Sequence, residues 1–237
     1  MTVDDIRITI EDHVHAAKCA IEAGFDGVEI TAGNGWLVDQ FLNPKTNLRT
    51  DAYGGSVENR AIFCIEMLDA VSEAIGASRT AVRFSPFGVF LMPLDDDPVT
   101  TFSYVLKEVE KRGLAYVCLT QPRTDMFLAE SAKWEVLNTA AAEGEMKIKA
   151  EDISLTKLAK VLEKTPTFAS GGYDGGNCFE EVEGGMLDGV TFGRWFISNP
   201  DLPEKIRRGL PLTPFKPASF YADGMEGYTD YPVGSQG

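Results

Sequence analysis

Apolar residues return every third or fourth position through ITIEDHVHAAKCAIEAG, residues 8–24, and the run stops at a glycine. That spacing predicts an amphipathic helix. FDGVEI then reads as a short buried strand, Phe25–Ile30. The same alternation repeats along the chain. SVENRAIFCIEMLDAVSEAIG predicts a long helix with Ser56 as its N-cap and Gly76 as its stop, and TAVRFS a strand at Thr80–Ser85. PVTTFSYVLKEVEKRG is helical, and Leu114–Thr120 is a strand. ISLTKLAKVLEKT is helical, and Thr167–Ser170 is a strand. NCFEEVEGG is a short helix, Val190–Phe192 a strand, and NPDLPEKIRRG a last short helix. Between the second strand and its helix, LMPLDDDP reads as an acidic, mobile surface loop.

Strands that are apolar nearly throughout, each followed by a helix, predict an α/β protein with a parallel sheet covered by helices. Five strands fall short of the eight in a closed (β/α)8 barrel, and a doubly wound sheet also works with five, so alternation alone leaves both open. The chain opens on a helix, as though a strand before it were cut away. No linker or low-complexity segment divides it.

Charge narrows the partners. Lys and Arg total 22 against 36 Asp and Glu, a net charge of −14, which argues against nucleic acid or an anionic membrane. No apolar run reaches the roughly 20 residues of a membrane span, and MTVDDIRITIEDH lacks a signal-peptide core. Cys19, Cys64, Cys118 and Cys178 lie far apart with no CxxC pair, the pattern of structural thiols in a reducing, cytoplasmic compartment. The only histidines are His13 and His15 on the first helix, too few N and S ligands for a zinc site.

In parallel α/β architectures ligands bind beyond the carboxyl ends of the strands. The exits carry Thr31, Asn34 and Trp36 after the first strand, and Arg83 and Ser85 at the second. Gln121, Pro122 and Arg123 follow the third, Gly171-Gly172 the fourth and Gly193-Arg194 the fifth. Paired glycines bring main-chain N–H groups close to an anion, and a guanidinium binds phosphate in bidentate fashion, so the last two exits suit a phosphate. They equally suit tight turns beside a surface arginine. No Walker A run and no GxGxxG after a first strand is present. Arg83 lies inside a strand and needs an acceptor, either a carboxylate or an electron-rich ligand.

These residues together resemble the old yellow enzyme family of FMN-dependent NAD(P)H ene reductases. The resemblance runs through nearly the whole chain. It is carried by GFDGVEI and NGWLVDQFLNPKTNLRTDAYGGSVENR, by AVRFSPFGVF, LAYVCLTQPR and PTFASGGYD, by VTFGRWFISNPDLPEKIRRGLPL, and by the tail FYADGMEGYTDYP. It implies a partial TIM barrel whose five strands correspond to the family's strands four to eight. The chain 1–237 is then a single barrel domain, truncated relative to the family, with an ordered aromatic tail over 210–237. It implies FMN as cofactor and NAD(P)H as hydride donor. Arg83 is placed against the N1/C2 edge of the flavin. Gly171, Gly172, Gly193 and Arg194 form the phosphate cradle. Phe220 and Tyr221 lie near the flavin and the substrate mouth.

The first exit departs from the family. There the family carries a His, then a His or Asn three residues later, which hold the substrate's oxygen, and then a Tyr that donates the proton. Here Thr31, Asn34 and Trp36 stand in those places. Threonine is shorter, and the indole N–H is too weakly acidic for general acid work. Only Asn34 keeps its role. The family's first three strands, which supply further flavin contacts, have no counterpart. Five strands leave two open edges, to be covered by a second copy, by a partner chain, or by the first helix and the tail; a homodimer is the expectation. The resemblance implies hydride transfer from NAD(P)H through flavin to an activated C=C bond. The alternatives are a redox-silent isomerase or cyclase using the same cavity, and a non-catalytic partner protein.

Overall fold

The computed structural model describes residues 1–122 and 130–234. Five strands form one parallel sheet in sequence order: β1 Val28–Ala32, β2 Thr80–Phe84, β3 Tyr116–Thr120, β4 Thr167–Ser170 and β5 Gly189–Thr191. Sequential order with crossover helices is the arrangement of a barrel wall. A doubly wound sheet would reverse direction at a switch point. β1 and β5 each pair on one side only among the described residues.

The helices form where their ends are satisfied. α1, Val3–Glu22, begins in a capping box between Thr2 and Asp5, several residues ahead of the expected start. α2, Leu37–Leu42, is a short helix in a stretch to which the sequence reading assigns no element. α3, Val57–Ile75, is capped by Ser56, whose hydroxyl accepts from the Asn59 amide, and ends at Gly76, at φ 98°. α4, Pro98–Glu110, is capped by Asp97 and starts on a proline. The acidic loop before α4 is tied in: Asp95 is buried and Asp96 pairs with Lys45 at 2.8 Å.

After β3 comes α5, Glu130–Ala142, which the apolar spacing did not reveal. The helix expected over 153–165 contracts to α6, Thr156–Ala159. α7, Glu180–Glu183, α8, Arg194–Ser198, and α9, Leu202–Arg207, are all short.

One apolar cluster lies between the helices and the outer face of the sheet, with Val82, Phe84, Val117, Leu119 and Ala169 meeting Phe63, Met67, Leu68, Phe102 and Leu106. Burying large side chains like these is worth about 1.5–3 kcal/mol each. The alternate strand positions, Thr31, Arg83, Cys118, Ser170 and Thr191, belong to the inner, concave face. A salt bridge between Arg83 and Glu29 and an edge-to-face pair, Tyr116 with Phe168 at 5.2 Å, occupy that face.

The long motif between β1 and α3 is a backbone clamp. Asn47 donates to the carbonyls of Phe41 and Tyr53, both at 2.7 Å, and Arg60 donates to those of Leu42 and Gly55. These side chains fix the connection, as buried carbonyls require. The tail is largely coil, with one 3-10 turn at Pro217–Ser219. It is pinned by Phe215, whose ring meets Trp195 at 4.9 Å and Phe220 at 5.6 Å.

Candidate active site

The carboxyl ends of the strands open onto two adjoining cavities, of about 410 and 300 Å³, which share Arg83, Ser170, Gly171, Gly193 and Arg194. The larger also takes in Asn34, Phe90, Lys133, Phe220 and Tyr221. The smaller adds Gly172 and Phe215. Four of the five residues assigned to the cofactor thus line both cavities, and the fifth lines the smaller.

β2 carries Arg83 on its inner face. Its Nε donates to Glu29 Oε1 at 2.6 Å and its Nη2 to Oε2 at 3.4 Å. Arg83 thus has a carboxylate partner and also lines both cavities. Burial works against its charge, but the bonds to Glu29 prevail and keep the guanidinium more basic than usual. Tyr116, beside the same pair, is pushed up to about 12 by burial and by the Glu29 charge.

At the fourth exit, Gly171 and Gly172 have φ of 91° and 73°, a region that suits glycine, and both line the smaller cavity. The loop is held from behind. Asn177 donates to the Gly172 carbonyl at 2.9 Å and accepts from the Asp174 amide, also at 2.9 Å. Gln121 donates to the Tyr173 hydroxyl at 2.8 Å and to the Glu181 carboxylate at 3.0 Å. Arg194, at the fifth exit, lies 5.5 Å over the Phe215 ring, a cation–π contact that directs the guanidinium beside the glycines.

The first exit is built differently from its expected trio. Asn34 has φ 56° and lines the larger cavity. Its N–H donates to Ser85 Oγ at 2.5 Å. The next N–H, of Gly35, donates to Asp39 Oδ2 at 2.9 Å. Gly35 has φ 76°, and a side chain there would meet the Phe90 carbonyl at 2.5 Å, so this turn requires glycine to sit under the SPFGVF loop. Thr31 lies opposite Arg83 in the sheet register and is exposed. Trp36 is 53% exposed, stands at the N-cap of α2, and does not line either cavity. The structure therefore brings Asn34, Arg83, Phe220 and Tyr221 together and leaves Thr31 and Trp36 outside the cavity walls. Arg123 lies outside the described residues.

Several wall residues were not anticipated, among them Phe90, Tyr228 and Lys133. Phe90 belongs to AVRFSPFGVF but was not singled out within it. Tyr228 of the tail lines the larger cavity and donates to the Phe220 carbonyl. Lys133 on α5 is only 2% exposed and gave no sequence signal, because its helix has no amphipathic pattern to place it. Asp39 was missed as well, although an acid inside the apolar run VDQFL, four residues after Gly35, was a readable sign.

The donor set suits an aromatic anion. Neither cavity has a carboxylate among its described lining residues, in a chain of net charge −14, while Arg83, Lys133 and Arg194 all line the larger one. Aromatic and apolar walls stand beside these cations. FMN, with one phosphate and an electron-poor ring, has the chemistry this set accommodates.

Comparison with known proteins agrees. Residues 1–213 match the model of the NADH:flavin oxidoreductase / NADH oxidase family. The chain is 42% identical to a flavin oxidoreductase, hxnT, of Emericella nidulans, over 98% of this chain and 60% of the relative. It is also 42% identical to enoate reductase 1 of Kluyveromyces lactis, over 98% and 57%. Among solved structures, morphinone reductase in complex with tetrahydroNAD superposes with a TM-score of 0.82 at 36% identity, covering 100% of this chain and 58% of that one. An old yellow enzyme homologue from Zymomonas mobilis gives 0.84 at 32% identity, covering 98% and 60%. The chain thus spans somewhat under two thirds of the length of each of these relatives.

Proposed function

The chain belongs to the NADH:flavin oxidoreductase / NADH oxidase family, whose members bind FMN and use NAD(P)H, and from the pocket it keeps we propose that it is an FMN-dependent oxidoreductase acting on an activated C=C bond. The observation that carries this reading is the pair of cavities at the strand ends, walled by Arg83, Arg194 and Gly171 and without a carboxylate among their described lining residues. Bound there, FMN would take hydride from NAD(P)H and deliver it to the β-carbon of an α,β-unsaturated carbonyl compound.

The residues of this chain would do the rest. Gly171, Gly172, Gly193 and Arg194 hold the phosphate. Arg83, kept charged by Glu29, would set a fixed positive charge beside the ring and favour negative charge developing on it. Asn34 donates its side-chain N–H to the substrate oxygen. With Thr31 and Trp36 in place of the family's other donors, that oxygen has one holder from this exit, and solvent supplies the proton. Phe220 and Tyr221 face the substrate at the mouth.

The relatives named above are oxidoreductases and reductases, which does not favour the isomerase, cyclase or non-catalytic readings. Among the described residues β1 and β5 each pair on one side only, which supports a homodimer or a partner chain that covers the other side. Four free cysteines support a reducing, cytoplasmic compartment, and no helix among the described residues is long and apolar enough to cross a membrane. The test is oxidation of NADH and NADPH by the FMN-loaded chain with 2-cyclohexenone. Turnover that is lost in Arg83→Ala supports the reading. No turnover by a chain that retains FMN would overturn it.

A further inference from the structure

Asp39 and Ser85 form a chain of hydrogen bonds directly beneath the turn that presents Asn34. The Asn34 N–H donates to Ser85 Oγ at 2.5 Å, Ser85 Oγ lies 3.4 Å from Asp39 Oδ2, and the same Oδ2 accepts from the Gly35 N–H at 2.9 Å. Two successive amides of a left-handed turn, at φ 56° and 76°, thus converge on one carboxylate, one directly and one through a hydroxyl. Asp39 is 1% exposed, and its other oxygen, Oδ1, is buried without a hydrogen-bond partner among the described residues. A purely structural turn has no need of this arrangement. An uncompensated buried carboxylate is costly, and asparagine or threonine would satisfy one amide at less expense.

We infer that Asp39 is a positioning residue for the substrate-oxygen contact: through Ser85 and the Gly35 amide it locks the turn that aims Asn34 into the cavity. The inference rests on the function proposed above, because the aim matters only if Asn34 holds a substrate oxygen. The ionised carboxylate makes the stronger bonds to both donors, so the lock tightens as Asp39 loses its proton. Burial holds its pKa at about 7, with the charge of Asp95, from the loop before α4, adding to the rise. The Cys64 thiol of α3, itself pushed up to about 12 and so neutral, is a second titratable group in its field among the described residues.

The experiment uses the full chain saturated with FMN, and reads the Kd of 2-cyclohexenone by calorimetry from pH 6 to 8 for the wild type, Asp39→Ala, Asp39→Asn and Ser85→Ala. Asp39→Asn preserves volume and serves if the alanine variant does not fold. The expected result is a Kd raised about tenfold by Asp39→Ala at pH 8, the size of one charge-assisted hydrogen bond, with FMN content unchanged. The wild type should bind more tightly as pH rises through about 7, and Asp39→Asn should lose that slope. Unchanged affinity and slope in the variants would overturn the assignment. Amide hydrogen exchange at Asn34 and Gly35, followed by NMR without flavin, separates the two readings. Faster exchange in both Asp39 variants together with an FMN-free wild type would leave the lock standing and the proposed function fallen. Unchanged exchange would reject the lock itself.

Discussion

Replacing Asp39 by asparagine should change how stability depends on pH, and the structure sets the size. Asp39 is raised from 3.8 to about 7, first by burial and only partly offset by the bonds from Gly35 and Ser85. The folded chain therefore binds a proton at this site between roughly pH 4 and 7, where the unfolded chain does not. By linkage, this contribution is fully present below about pH 4 and is lost as pH rises through about 7. Three units at about 1.4 kcal/mol each give a loss of up to about 4 kcal/mol across that window. Asparagine does not titrate, so the variant lacks this component. Urea unfolding of both proteins at pH 4.5 and pH 8 isolates it, since the remaining groups are shared. The wild type should lose stability relative to Asp39→Asn on going to pH 8, by several kcal/mol. Parallel pH dependence would mean that Asp39 is solvated or has a partner for Oδ1, and would refute the reasoning about its burial.

Three further outcomes follow from the pocket. Arg194→Ala should weaken FMN binding roughly 10- to 100-fold, the worth of one charge-assisted phosphate contact; ultrafiltration and absorbance measure it, and unchanged retention would remove Arg194 from the cradle. Glu29→Gln should leave Arg83 without a charged partner on the inner face, lowering thermal stability by about 1–3 kcal/mol, read by calorimetry at constant pH; an unchanged midpoint would show the pair to be neutral. Thr31→His with Trp36→Tyr should raise the rate on 2-cyclohexenone by supplying the second holder and the proton donor, a gain of about 10²-fold or more where proton transfer limits turnover; no gain in the FMN-loaded chain would show that these positions do not reach the substrate.

Much of the fold could be read from the chain because its strands are short apolar runs closed by glycine or a polar cap. Thr167–Ser170 was found with its bounds intact, and Ser56 and Gly76 closed α3 as expected. The helices that escaped notice lack the periodic signal. α5 mixes polar and apolar residues without a face, and α2 is six residues long. In the site, Arg83 and the glycines were visible because their chemistry is unusual at strand ends. The positions of Thr31 and Trp36 were not, because the sheet register and the left-handed turn at Asn34 decide where each side chain goes, and neither is written in spacing. Lys133 reaches the cavity only through tertiary packing of α5, to which local sequence is blind.

The central claim is that the two cavities at the strand ends hold FMN. The visible absorption spectrum of the purified chain, incubated with FMN and freed of excess, tests it most directly. The account predicts a yellow protein with about one flavin per chain, bleached by NADH or NADPH under nitrogen and restored by air. A colourless protein that retains no flavin would contradict it, and Arg83, Gly171 and Arg194 would then need another anion to explain them.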